Sequence, residues 1–336
     1  MRLLAIGRRV LPWFVAIATV GYVFIRVPLP EAWSAARDAR IDILVPLILS
    51  AVLFWFLLES YAYARLFSRF NTTLSWREAR SLRGLSYLLT PIHLSLGKVG
   101  IVLRLSALKK IPPLEVASTV ALYQTIDAIV LASLATIGLF FIPTSPLATD
   151  TRTIALAFIL LLTGYLAFIR FDWPRFGVCN RLRDCTIHRT HRHVHIRDLL
   201  LILAIKLAYH MAFVGVFYFG TRAFGVELPF STALAATPII AAIGAIPISP
   251  AGLGTQQASM LFFFSAYGGD WAIVAFGFTL TAALLGARCL LGLLYLPTLT
   301  LRGDEWSRPD TAHARRFARP YFPEETVSTS NGPGFP

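Results

Sequence analysis

Six apolar runs, near residues 10–25, 43–64, 115–142, 153–169, 199–219 and 271–299, each approach the length that crosses a lipid bilayer. A helix rises 1.5 Å per residue, so a hydrocarbon core of ~30 Å calls for about 20 apolar residues. Only 15% of the chain is charged and 56% is hydrophobic, against roughly 25% charged in a soluble domain. The expected fold is therefore all-α, a polytopic membrane helix bundle with about six full spans. The first run follows Arg8 and Arg9, as in a secretory signal, but no small-residue cleavage site follows before Pro28 and Pro30. A retained anchor is expected.

Two further apolar segments are interrupted by glycine and proline: 87-YLLTPIHLSLGKVGIVLRLSAL-108 and 237-TPIIAAIGAIPISPAGLGTQQASMLFFF-264. At membrane depth an irregular backbone survives only where protein or a polar cavity satisfies its N–H and C=O groups. Such a pair in the two halves of a polytopic chain points to a midplane substrate site. Each segment is expected to form a re-entrant hairpin, giving eight to ten helices in all. If the hairpins enter from opposite sides, they would reflect an inverted repeat. Two short crossing helices at 232–247 and 255–267 would satisfy the same parity, although 13 to 16 residues per arm is short for a span.

Charge orients the chain. Of its 31 Lys and Arg residues, 23 lie in segments 1–9, 65–83, 104–115, 170–198 and 300–336, and 5 lie in 26–42, 143–152, 220–230 and 268–270. By the positive-inside rule the first set is cytoplasmic, with both termini inside and the protein in the inner membrane. Residues 1–301 form the membrane domain, and the polar tail 302–336 is expected to be disordered. The basic residues are scattered over short loops instead of forming one face, which argues against nucleic acid. Anionic membrane lipids are the expected partner.

The first interrupted segment carries Lys98 and Arg104 with Gly97 and Gly100. The glycines permit close backbone approach, and the two cations offer a point charge and a planar fork suited to phosphate oxygens. The alternative is that both side chains snorkel to the interface and anchor the hairpin. In the second segment Pro247 and Pro250 break the helix, and Ser249, Gly252, Gly254, Thr255, Gln256 and Gln257 surround the next helix start, where free N–H groups favour an anion. A purely structural turn is the alternative. Asp127, Lys206, His210 and Arg288 lie within spans and are expected to face the bundle interior. Asp127 is either the counter-ion of Lys98, Lys206 or Arg288, or a proton-coupling carboxylate.

The loop 188-HRTHRHVH-195 invites a metal reading, but its arginines oppose a cation and no zinc-ligand spacing is met. No metal or cofactor is expected. Cys179, Cys185 and Cys289 are too few for a disulfide framework. No nucleotide-binding loop, nucleophile elbow or metalloprotease motif is present, so the chain is not expected to be an enzyme.

The stretch from Gly97 to Arg104, G-K-x-G-x-x-x-R, the connection Leu105 to Glu115 into the span bearing Asp127, the stretch from Pro247 to Gln257 and the later Arg288 resemble the lysylphosphatidylglycerol synthase transmembrane-region family. The resemblance covers nearly the whole membrane part. It implies a flippase-like protein that moves or handles lipids with modified headgroups or polyprenyl-phosphate sugars, here as a stand-alone member without a fused transferase. The family often shows Glu-Arg where this chain has Tyr123 and Gln124, and Glu in place of Gln257; both changes remove charge.

The function expected from residues and resemblance together is translocation or handling of an anionic phospholipid or lipid-linked intermediate, its phosphate held between the two hairpins. A secondary transporter of a small organic anion, or a non-catalytic subunit that docks a glycosyltransferase or other lipid-modifying enzyme, is the alternative.

Overall fold

The computed structural model describes residues 29–90, 94–140, 146–171, 177–245 and 254–300. The expected span at 10–25, the tail 302–336 and the interruption at 246–253 lie outside the described residues. Within them the chain forms twelve α-helices and no strand: α1 Leu29–Asp38, α2 Ile41–Phe70, α3 Trp76–Leu89, α4 Leu94–Lys109, α5 Pro113–Phe140, α6 Pro146–Arg170, α7 Gly177–Arg183, α8 Arg189–His193, α9 Ile196–Arg222, α10 Phe230–Ala245, α11 Thr255–Phe264 and α12 Asp270–Leu293. Five of them, α2, α5, residues Arg152–Arg170 of α6, α9 and α12, are long and apolar enough to cross a membrane. They coincide with the five described runs of the sequence, and the protein is a multi-pass all-α bundle.

α2 shows how such a helix divides its faces. Val45, Leu49, Leu53 and Leu57 recur every fourth residue and stay exposed, whereas Leu44, Ile48, Trp55 and Phe56 are buried. A helix apolar on both sides suits lipid on one face and protein on the other. The helices gather at two ends. At the basic end Asn71 Nδ2 donates to the Glu115 carbonyl at 3.1 Å, and Arg69 pairs with Asp198 at 3.7 Å. At the other end the Arg40 amide donates to the Ala223 carbonyl at 3.0 Å.

The first interruption is a helical hairpin. Ser75 caps α3: its Oγ accepts the Glu78 amide at 3.2 Å while Glu78 Oε2 accepts the Ser75 amide at 2.6 Å. α4 packs back along α3, with Lys109 Nζ 2.7 Å from Glu78 Oε1 where the two helices begin and end. Gly97 makes this approach possible, since a Cβ there would lie 2.9 Å from the Ser86 carbonyl oxygen. The first arm thus starts at Trp76, inside the stretch 65–83 that the charge pattern assigned wholly to a basic loop. That assignment is corrected: the capping box starts a helix, and the helix carries Arg83 into the bundle. The second pair, α10 and α11, also pack together. At 14, 16, 16 and 10 residues, α3, α4, α10 and α11 are ~15–24 Å long, short of a ~30 Å core.

The His-rich segment folds onto α5. Thr190 is buried against Ser118 and Thr119, and Arg189 pairs with Glu115 at 2.9 Å. His191 is buried near Thr125, its ring 5.7 Å from Tyr165 and 6.2 Å from His188. Burial, reinforced by the neighbouring His188, pushes the His191 imidazole down to about 4. A lowered folded value means that stability is complete above the ordinary value of ~6.5 and is lost as pH falls toward 4, because the unfolded segment binds the proton first. The hydrogen-exchange protection factor of residues 186–195, with the intrinsic pH dependence of exchange divided out, should therefore fall between pH 7 and pH 5, and His191→Phe should flatten that dependence.

Apolar packing forms two main cores. One joins α1, the first half of α2, the second half of α9 and helices α10 to α12; the other joins the second half of α2 with α3, α4, α5 and the first half of α9. On α2 the first core ends at Trp55 and the second starts at Ala62. Glu59 lies between them.

Candidate functional site: a buried charge cluster

A charge at the centre of a membrane helix costs at least ~2.5–3.5 kcal/mol on insertion scales, so it turns inward and finds a partner. Glu59 lies about 16 Å along α2 from Phe70, and Lys206 about 15 Å along α9 from Ile196, near half of a ~30 Å core. Their side chains are 7% and 3% exposed. Lys206 Nζ lies 3.1 Å from Asp127 Oδ1 on α5, 3.9 Å from Glu59 Oε1 and 3.7 Å from the centre of the Tyr123 ring. His210, one turn beyond Lys206, has Nε2 at 2.9 Å from the same Asp127 oxygen. A carboxylate only accepts, so Nε2 carries the hydrogen. Glu59 also pairs with Arg83 of α3, whose Nη1 donates to Ser86 Oγ at 3.1 Å.

A chain of contacts thus runs Arg83, Glu59, Lys206, Asp127, His210 across four helices. Lys98 of α4 lies close enough to Asp127 and Lys206 to interact electrostatically with both. Arg288 of α12 sits 5.7 Å from the Trp55 ring and 5.8 Å from the Tyr87 ring, and Arg83 sits 4.4 Å from the Tyr87 ring. Arg288 ion-pairs with no carboxylate among the described residues. Four Lys and Arg side chains therefore face two carboxylates. At an effective dielectric of ~20, one unit charge 4 Å away is worth about 4 kcal/mol, so the surplus strongly favours an added anion.

Of the residues singled out in the sequence, Asp127, Lys206, His210 and Lys98 meet at this cluster, and Arg288 lines its edge. Arg104 points elsewhere. Six residues of helix turn through about 600°, so Lys98 and Arg104 leave α4 about 120° apart, and Arg104 Nη2 donates to the Thr298 carbonyl at 2.8 Å in a closing 3₁₀ turn, Leu296–Thr300. Gly97 and Gly100 face α3; a Cβ on Gly100 would lie 2.6 Å from Leu89 Cδ1.

In the second segment, Ser249 and Gly252 lie outside the described residues. Gly254 adopts φ +83°, a left-handed conformation that favours glycine. Thr255 opens α11, and the Gln256 side chain lies against Gly244. Gln257 is fully buried: its Oε1 accepts the Gly254 amide at 2.8 Å, and its Nε2 donates to the Gly277 carbonyl at 3.2 Å and to Thr281 Oγ1 at 3.1 Å. Those bonds fasten α11 to α12.

Glu59 and Arg83 are absent from the sequence-based candidates. Glu59 had a signal, a lone acid in an apolar run, which implies an internal cation. Arg83 had none, because a basic residue just outside an apolar run reads as an interfacial anchor.

The class follows from this fold and this interior: a multi-pass membrane protein with a charged cluster at mid-depth, built where broken and continuous helices meet. Residues 9–285 match the lysylphosphatidylglycerol synthase transmembrane region, and the chain belongs to that family. No curated protein and no solved structure matches it.

Proposed function

We propose that the protein resides in the inner membrane with its basic end and both termini cytoplasmic, and that it moves an anionic phospholipid or a polyprenyl-phosphate-type intermediate between leaflets without bond chemistry of its own. The excess of cations over carboxylates in and around the interior cluster carries this reading, since a headgroup phosphate would balance it. In this reading α3–α4 and α10–α11 are re-entrant hairpins that enter from the cytoplasmic and outer sides respectively. Lys98, which makes no hydrogen bond or ion pair among the described residues, is the cation readiest to meet the substrate.

Proteoliposomes carrying headgroup-labelled phosphatidylglycerol or phosphatidylcholine test the function. Label accessibility to an impermeant quencher should rise faster with protein for the anionic lipid, and Lys98→Gln should slow it. Equal rates for both lipids, with and without protein, would sink the reading.

Orientation has its own test. Thr190 is only 3% exposed and would be a poor reporter, but Cys185 is exposed. In a Cys179→Ser, Cys289→Ser background, an impermeant maleimide should label Cys185 only after the cells are permeabilised. Labelling in intact cells would invert the topology.

A further inference from the structure

We propose that Tyr87, Arg288 and the inward edge of Arg83 form a subsite for a phosphate group, between the second half of α3 and α12. This inference rests on the lipid-handling reading above and assigns the residues that grip the headgroup.

Three buried donors lie on side chains packed around the Tyr87 ring. The Tyr87 hydroxyl, Arg83 Nε and Arg288 Nε are each buried and hydrogen-bond to nothing among the described residues. Tyr87 is 1% exposed, so its hydroxyl has no solvent to turn to. Leaving a buried donor unmade typically costs ~1–3 kcal/mol. Three on neighbouring side chains leave a demand that an acceptor with several oxygens and negative charge meets best. Both guanidinium groups lie by the Tyr87 ring, Arg83 at 4.4 Å and Arg288 at 5.8 Å. The one carboxylate paired to Arg83 is Glu59, held also by Lys206.

The subsite has a path to lipid. Arg288 lies about 7–8 Å along α12 from Leu293, and Gly292 at that end packs on Gly84 and Leu88 of α3, so the subsite sits at the depth of the charge cluster. Arg288 is partly exposed, and Leu290 and Leu293 beside it on α12, with Leu294 just beyond, are 66%, 51% and 74% exposed, a surface fit for acyl chains. A phosphate on a lipid could thus slide inward with its chains still outside. An Arg288 that merely snorkelled would need no aromatic walls and no buried Nε.

The test compares wild type, Tyr87→Phe and Arg288→Lys in purified full-length protein, using native mass spectrometry with phosphatidic acid, phosphatidylglycerol, phosphatidylcholine and inorganic phosphate as probes. Tyr87→Phe removes only the orphan hydroxyl, so its melting temperature should stay level or rise while affinity for the phosphate-bearing anions falls about tenfold or more. Arg288→Lys keeps the charge but removes the fork, and should lose affinity similarly. A lower melting temperature with unchanged affinity in Tyr87→Phe would overturn the subsite, because the hydroxyl would then be structural. Unchanged affinity in both variants, with loss in Lys98→Gln, would place the anion elsewhere and leave the lipid reading intact. Inorganic phosphate bound as tightly as the lipids, and weakened by the same variants, would support the subsite and refute a lipid source. A wild type that prefers none of these anions over phosphatidylcholine would refute both.

Discussion

Glu59→Gln is expected to cost the folded protein ~3–5 kcal/mol and to cut folded yield sharply, since removing one partner of a buried pair strands the other. Glu59 is the carboxylate shared by Arg83, 13% exposed, and Lys206, 3% exposed. Asp127→Asn should cost less, near the bottom of that range. Its side chain is 25% exposed, and Lys206 would keep Glu59 at 3.9 Å. Size-exclusion yield and thermal melting of the two variants in detergent check the order. An Asp127→Asn protein that folds normally but no longer transports would instead assign Asp127 a part in coupling.

Gly138→Val is expected to abolish folded protein. A Cβ on Gly138 would fall onto the Cα and backbone nitrogen of Ala235, so α5 and α10 touch backbone to backbone at this point. Between membrane helices no hydrophobic effect drives association, and close packing of small residues does much of the work. A flexible side chain could yield, but a helix backbone cannot. Gly164→Val on α6 is the control, because nothing lies within 4 Å of a Cβ there. Comparable loss in both variants would mean that bulk anywhere in these helices is harmful, and the α5–α10 contact would lose its special standing.

Much of the architecture was legible because membrane insertion is read locally. Length and apolarity mark α2, α5, α6, α9 and α12. The start of α3 was less legible. Its apolar face is interrupted by Arg77, Arg80 and Arg83, and only the Ser75–Glu78 capping box announces a helix in what reads as a basic loop. Gln257 reads as a donor for substrate, because it follows glycines at a helix start. In the fold its amide is consumed by Gly254, Gly277 and Thr281, partners that no local pattern identifies.

The sequence by itself determined that this chain lives in a membrane, where five of its long apolar helices fall, and that Asp127, Lys206, His210 and Arg288 turn toward the bundle. Each of those follows from one residue's transfer energy and its neighbours along one helix. Which charges meet was decided only by the tertiary structure. Arg83 reaches Glu59, Lys206 lies between Glu59 and Asp127, and Arg104 turns away to Thr298, because pairing depends on the rotation and depth of helices packed against one another. Those are set by side-chain packing across the whole bundle, Gly97 against Ser86 and Gly138 against Ala235 among them, and no single segment encodes them.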